Sequence, residues 1–318
     1  MKRIAVLTSG GDAPGMNAAI RAVVRSAIYN QVEVFGIMQG YEGLIQGCIK
    51  SMNLGSVADI IHRGGTILQT SRSSSFMSEA GRRAALEQLN KHGITGLVVL
   101  GGNGSLRGAW EFSKLGIKVV GIPASIDNDI VYTRSIGFDT AVNTALQAIN
   151  HIRDTATSHG RVFVIEVMGR DCGEIALAAG VAGGAESILI PEIEVDFEQI
   201  VNKINQGVER GKLHSIIVVA EGVYPVLELK EHLQEATGQD IRVTILGHIQ
   251  RGGTPTAVDR IMGSCMGKAA VDYLISGKGN AMTATRLGGV HLIPLQEVIR
   301  GKKTPELGMF DLARVLSI

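Results

Sequence analysis

Leu97-Val98-Val99-Leu100 runs straight into Gly101-Gly102-Asn103-Gly104-Ser105, and Val119-Val120-Gly121-Ile122-Pro123 runs into Ala124-Ser125-Ile126-Asp127-Asn128-Asp129. Each is a short apolar run that stops abruptly at loop residues. Such runs read as strands buried on both faces, and strands of that kind belong to a parallel sheet. In a parallel sheet the chain turns into a helix after each strand, and ligands gather at the carboxyl ends of the strands. The first loop offers bare backbone amides and the second offers carboxylates. That pairing suits a phosphate held beside a base.

The same unit recurs on either side. Residues 4–7 read as a strand ahead of Thr8-Ser9-Gly10-Gly11-Asp12-Ala13-Pro14-Gly15-Met16-Asn17. Residues 18–29 then place Ile20, Val23, Val24 and Ala27 at helical spacing, with Arg21 and Arg25 on another face. Further strands are expected over 32–38, 161–167, 187–190, 215–220 and 243–246. Helices are expected over 81–92, 106–115, 139–156, 197–207, 227–237 and 257–276, with an alanine-rich helix after Gly173. The remainder reads as a short strand-and-helix end piece, and Trp110 as packing. Strand, polar or glycine loop, helix is the pattern of βαβ units with helices on both sheet faces. The segment near Phe138 divides the strands into two sets. The expected fold is α/β, with two doubly wound lobes of mainly parallel sheet and a cleft between them.

At 318 residues the chain is long enough for two such lobes, and 45% hydrophobic content with 41 glycines fits many strand-to-helix turns. A net charge of +1 gives no global field for nucleic acid or an anionic membrane, so any anion site is a local arginine cluster. Cys48, Cys172 and Cys265 are scattered and odd in number, and read as free buried thiols of a reducing cytosol. The N-terminal strand lacks the pattern of a signal peptide, and no apolar stretch is long enough to span a membrane. The expected location is cytoplasmic.

The strand-end residues sort by charge. Arg72, Arg161, Arg170, Arg242 and Arg251 are cationic, with His248 beside Arg251 in sequence; Asp12, Asp127, Asp129 and Glu221 are anionic. Arginines suit bidentate phosphate recognition, and carboxylates near glycine loops suit magnesium or a general base. Ser125 has no G-x-S-x-G context and His248 no metal-ligand partner at i+4, so a nucleophilic serine and a zinc site are both disfavoured. The Gly10-Gly11 turn matches neither the dinucleotide fingerprint nor the P-loop. Ser71-Arg72-Ser73-Ser74-Ser75 is either a phosphate contact or a solvated loop. The set points to phosphoryl transfer, with sugar-phosphate binding or isomerisation as the standing alternative.

Taken together, the 8–17 loop, Gly101-Gly102-Asn103-Gly104-Ser105, Ile126-Asp127-Asn128-Asp129, Met168-Gly169-Arg170 and Gly247-His248-Ile249-Gln250-Arg251-Gly252-Gly253 resemble the bacterial ATP-dependent 6-phosphofructokinases. The resemblance covers nearly the whole chain, to the terminal Leu316-Ser317-Ile318. It implies a cytoplasmic homotetramer that phosphorylates the 1-hydroxyl of fructose 6-phosphate with MgATP. A nucleotide-binding lobe would span 1–137 and about 250–300, and a sugar-phosphate lobe 138–249 and about 301–318. By position Asp127 resembles the base, and Arg170 and Arg72 the cations that offset charge on the transferred group. Gly11, Tyr41, Arg72, Ser73, Gly102, Asn103, Gly104 and Ser105 match nucleotide contacts. Ser125, Asp127, Met168, Gly169, Arg170, Glu221, His248 and Arg251 match the sugar-phosphate site, with Arg161 and Arg242 reaching it from a neighbouring subunit. An effector site for ADP or phosphoenolpyruvate would use Arg21, Arg25, Arg153, Gly184, Ala185, Glu186, Arg210, Lys212 and His214.

The chain departs from that pattern at three positions. Asn103 stands where the family usually has a magnesium-assisting aspartate, leaving Asp129 to carry more of the magnesium binding. Ser125 replaces a threonine and keeps the hydroxyl. Leu213 stands where many relatives carry a lysine, so the effector site loses a charge. Gly104 and Ala124 match ATP-dependent rather than pyrophosphate-dependent relatives, which typically carry Asp and Lys there. The alternative to an active kinase is an attenuated paralogue with a regulatory or binding role, on account of Asn103.

Overall fold

A computed structural model of the chain describes residues 1–286, 288–304 and 307–317. Ile318, the last residue of the terminal motif, lies outside the described residues. Two compact units divide the chain: Met1–Asp139 with Arg251–Lys303, and Thr140–Gln250 with Thr304–Ile318.

The first unit holds strands β1 (Arg3–Ser9), β2 (Glu33–Ile37), β3 (Ile49–Ser51), β4 (Gly96–Gly101) and β5 (Lys118–Pro123). The second holds β6 (Val162–Val167), β7 (Ser187–Leu189), β8 (Ser215–Ala220) and β9 (Ile241–Ile245). The chain then returns to the first unit for β10 (Ala281–Arg286) and β11 (Gly289–Pro294).

The first sheet runs β11-β10-β5-β4-β1-β2-β3, parallel through its interior and antiparallel only at its two edge pairs, β10–β11 and β2–β3. Every residue of β4 is buried, as an interior strand covered on both faces requires. Leu97, Val99 and Val119 pack with Leu106, Ala109 and Phe112 of the helix Asn103–Ser113. The helix Ala257–Ile275 packs along the helix Met16–Tyr29. The register aligns Ser9 with Gly101 and Gly101 with Pro123, so the loops after β1, β4 and β5 leave one edge together. The strand order reverses direction between β1 and β4. That is the switch point where an open α/β sheet holds its ligand.

The second sheet runs β7-β8-β6-β9, all parallel. Val167 aligns with Ala220 and Glu166 with Ile245, so the loops after β6, β8 and β9 also share an edge. The expected α/β class with mainly parallel sheets holds in each unit.

The structure differs from the sequence reading at four places. The helix expected over 106–115 begins at Asn103, so Asn103, Gly104 and Ser105 form its first turn rather than a loop. Gly102 supplies the extended backbone that a helix start needs, and glycine at 104 masks the helical periodicity in the sequence. The short helix Gly40–Ile45 and the edge strand β3 carry too few residues for a periodic signal. Finally, Cys265 is exposed and Cys48 and Cys172 are half-buried, so the three thiols are outside any disulfide, as expected, but are not buried.

Candidate active site

In the first unit the loop after β4 is tied to the loop after β1. Ser105 is buried, and its hydroxyl donates to the Ser9 carbonyl at 2.9 Å. The helix Asn103–Ser113 has no side-chain cap and no acid in its first turn. Its opening amides therefore remain available to an anion, with the helix dipole in support. Asn103 and Gly104 are exposed there. Gly11 is exposed close by in sequence order on the β1 loop. A methyl group on it would sit 2.5 Å from Arg251 Nη1, so glycine makes room for that guanidinium.

Tyr41 packs beneath the 102–105 segment. It is 5% exposed, its ring is stacked on Phe76 at 3.9 Å between centroids, and its hydroxyl donates to the Ser105 carbonyl at 2.8 Å. Burial pushes its phenol far above the ordinary value. It supports the 102–105 segment and presents no open face to a base. Arg72 is exposed, whereas the Ser73 hydroxyl is held by Glu42 Oε2 at 2.6 Å. Trp110 is half-buried against the core, as packing requires.

The loop after β5 is rigid for local reasons. Asn128 adopts a left-handed φ of 53°, and its side-chain oxygen accepts Ser135 N at 2.9 Å while Lys303 Nζ donates to its carbonyl. Asp127, beside it, is 4% exposed. Asp129 Oδ1 accepts the Ser125 hydroxyl at 3.0 Å, and its Oδ2 accepts Asn103 Nδ2 at 2.8 Å. One carboxylate with two neutral partners fits magnesium that arrives with nucleotide phosphates, since such an ion needs only one or two protein carboxylates. Among the described residues there is no group of three or more His, Cys, Asp or Glu that would hold a metal ion by protein ligands alone.

In the second unit the turn 168–173 is held by side chains from three segments. Gln250 Oε1 accepts Met168 N at 2.8 Å, and Glu221 Oε1 accepts Arg170 N at 2.9 Å and Gly169 N at 3.4 Å. Glu192 accepts Gly173 N through both oxygens, at 2.9 and 3.1 Å. Arg170 is exposed and left-handed, with φ 53°. Gly222 must be glycine for space: its Cβ would lie 2.1 Å from the Arg170 carbonyl oxygen. Burial, and then the Glu221 charge, raise the Glu166 carboxyl above its ordinary value. Met168 is buried and His248 exposed. Arg161 and Arg242 share one partner, Asp240, at 2.7 and 3.0 Å. Desolvation opposes those guanidiniums, which nevertheless hold the Asp240 carboxyl below its ordinary value.

The second unit also gathers five of the residues matched to the effector site. Arg153 Nη1 meets His214 Nε2 at 3.2 Å, and its Nη2 donates to the Gly183 and Gly184 carbonyls. Glu186 pairs with Lys212 and accepts Ile216 N. His214 is held below its ordinary pKa, by burial first, against Glu186, with Arg153 and Lys212 adding to the effect. Arg210 is exposed and donates to Gln206 O of the preceding helix. Leu213 is 62% exposed. Arg21 and Arg25, half-buried and exposed respectively, lie on the helix Met16–Tyr29 of the first unit.

Sequence reasoning missed Gln250, Glu192 and Glu42. Gln250 stood inside a quoted motif but is uncharged; Glu192 and Glu42 reach their partners only through the fold.

A family model described as "PFK: Phosphofructokinase" matches residues 3–274. An ATP-dependent 6-phosphofructokinase of Natranaerobius thermophilus is 54% identical, and one of Alkaliphilus metalliredigens 56% identical, each covering 100% of both chains. Phosphofructokinase from Saccharomyces cerevisiae superposes with a TM-score of 0.89 at 36% identity, over 100% of this chain and 48% of the yeast chain, so this chain spans about half of that one. A pyrophosphate-dependent phosphofructokinase from Marinobacter aquaeolei shares the fold, with a TM-score of 0.87 at 24% identity, over 96% of this chain and 86% of that one.

Proposed function

The chain belongs to the phosphofructokinase family, and from that premise we propose that it is a glycolytic kinase transferring the γ-phosphoryl group of ATP to the 1-hydroxyl of fructose 6-phosphate. The products are fructose 1,6-bisphosphate and ADP. The observation that carries the reading is the switch-point edge of the first sheet, where uncapped helix amides at 103–105 and the buried Asp127 leave adjacent parallel strands.

The roles follow from charge and place. Asp127 accepts the proton of the sugar hydroxyl as that oxygen bonds to phosphorus and the bond to the ADP oxygen breaks. Arg72 and Arg170 offset charge on the transferred group. Gly11, Arg72, Ser73 and residues 102–105 hold the nucleotide, with Tyr41 as a support, so the first unit is the nucleotide lobe. Ser125, Met168, Gly169, Arg170, Glu221, His248 and Arg251 hold the sugar phosphate, joined by Arg161 and Arg242 from a neighbour in a homotetramer. The second unit is the sugar-phosphate lobe.

Magnesium would be held by Asp129 and Asn103 together with the phosphates, and when bound it neutralises charge between them. Arg21, Arg25, Arg153, Gly184, Glu186, Arg210, Lys212 and His214 would take ADP or phosphoenolpyruvate. Gly104 and Ala124 support ATP over pyrophosphate. The enzyme would work in the cytoplasm; no helix among the described residues is long and apolar enough to cross a membrane.

The test is turnover of purified protein with fructose 6-phosphate and MgATP, against Asp127→Ala and against pyrophosphate as donor. A rate no better than Asp127→Ala returns the attenuated paralogue. Equal rates with pyrophosphate refute the donor assignment.

A further inference from the structure

Met168, Gly169 and Arg170 present three consecutive backbone amides, and each is accepted by a side-chain oxygen of Gln250 or Glu221. The turn needs that support. Arg170 sits at φ 53°, in the left-handed region that a residue with a side chain occupies only when its surroundings force it. Gln250 differs from Glu221 in burial: it is 0% exposed, whereas Glu221 is exposed, so water has no access to replace the Gln250 oxygen on Met168 N.

The amide of Gln250 has a second property. Among the described residues its Nε2 has no hydrogen-bond partner. A buried donor without an acceptor destabilises the fold. Methionine would fill nearly the same volume without that penalty, so packing alone does not account for glutamine here. What methionine lacks is the oxygen on Met168 N.

We infer that Gln250 is a positioning residue for the sugar-phosphate turn. From the 3-10 turn Gly247–Arg251 it grips the Met168 amide, keeps the turn in the conformation that Arg170 requires, and joins the segments carrying Arg170 and His248 into one rigid piece. The inference rests on the reading of that turn as a sugar-phosphate site.

Two substitutions and two readouts decide it. Gln250→Met raises KM for fructose 6-phosphate about tenfold while KM for MgATP stays within about twofold, as misplacement of one substrate's contacts requires. Its melting temperature changes little, because the unpaired Gln250 donor is gone while the Met168 amide loses its acceptor. Gln250→Glu keeps an oxygen for Met168 N and recovers most of the KM. Amide hydrogen exchange at Met168 in the full chain needs no substrate. It rises about tenfold or more in Gln250→Met and not in Gln250→Glu.

A wild-type KM in Gln250→Met overturns the proposal, as does an equal rise in KM for both substrates. If Gln250→Met does not fold, Gln250→Asn, one methylene too short to reach, is read in the same two ways. Should the wild-type protein not turn over fructose 6-phosphate, the functional reading fails, and Met168 exchange still decides the role of Gln250 in the turn.

Discussion

The segment 102–105 in the first unit and the turn 168–173 in the second follow parallel strands in the same way and end in opposite states. The first leaves its helix amides uncapped, with Asn103 and Gly104 exposed. The second has Met168, Gly169, Arg170 and Gly173 amides satisfied by Gln250, Glu221 and Glu192. On the proposed reading, one βα turn would meet phosphate with backbone; the other occupies its backbone with its own oxygens and would meet phosphate with an arginine side chain. A carboxylate lodged on the amides of the second turn excludes a ligand anion from them, and at the same time fixes the strained residue that carries the cation.

The largest test of that contrast is at Asp127, the proposed base, in the first unit. Asp127→Ala is expected to lower kcat by about 10²–10⁴-fold with the fold intact, which steady-state kinetics and circular dichroism check together. A smaller loss would mean that the first unit contributes only its open amides.

Next comes the glycine pair. Gly222→Ala puts a methyl group 2.1 Å from the Arg170 carbonyl and is expected to cost about 1–3 kcal/mol by urea denaturation, with a higher KM for fructose 6-phosphate. Gly104→Ala meets nothing within 4 Å and should leave stability within about 0.5 kcal/mol. Equal effects would break the distinction between a closed turn and an open one.

Asn103→Asp sharpens it further. The substitution sets a second carboxylate where an amide now donates to Asp129 at 2.8 Å. Repulsion of about 1 kcal/mol, roughly fivefold in binding, should tighten magnesium and lower the melting temperature of the metal-free protein. Unchanged magnesium titration and melting would remove Asn103 from the metal.

The smallest effect is at Glu166, whose carboxyl is raised by burial and by Glu221. The folded chain holds that proton more tightly than the unfolded chain, so stability falls as pH rises from 4.5 through the folded value. Glu166→Gln removes that slope, and a pH series of urea midpoints shows whether it does.

Much of this was legible without coordinates. Apolar runs ending at 101 and 123 specify parallel strands because burial on both faces leaves no room for polar alternation. Asp127 and Arg170 stand in motifs long enough to be matched residue by residue. The stacking of Tyr41 on Phe76 was not legible, because the two rings meet only through the fold. Asn103 was placed in a loop because glycine on both sides hides a helix start.

The sequence by itself determined the α/β class, the two sets of strands and the residue types available at each strand end. These depend on local periodicity and on composition, which are properties of neighbours in the chain. Only the tertiary structure decided which oxygens reach which amides: Gln250 on Met168 across 82 positions, Glu221 on Arg170 across 51, Asn103 on Asp129 across 26. Hydrogen bonds need atoms within about 3 Å, and only strand register and loop conformation bring such distant residues to that separation.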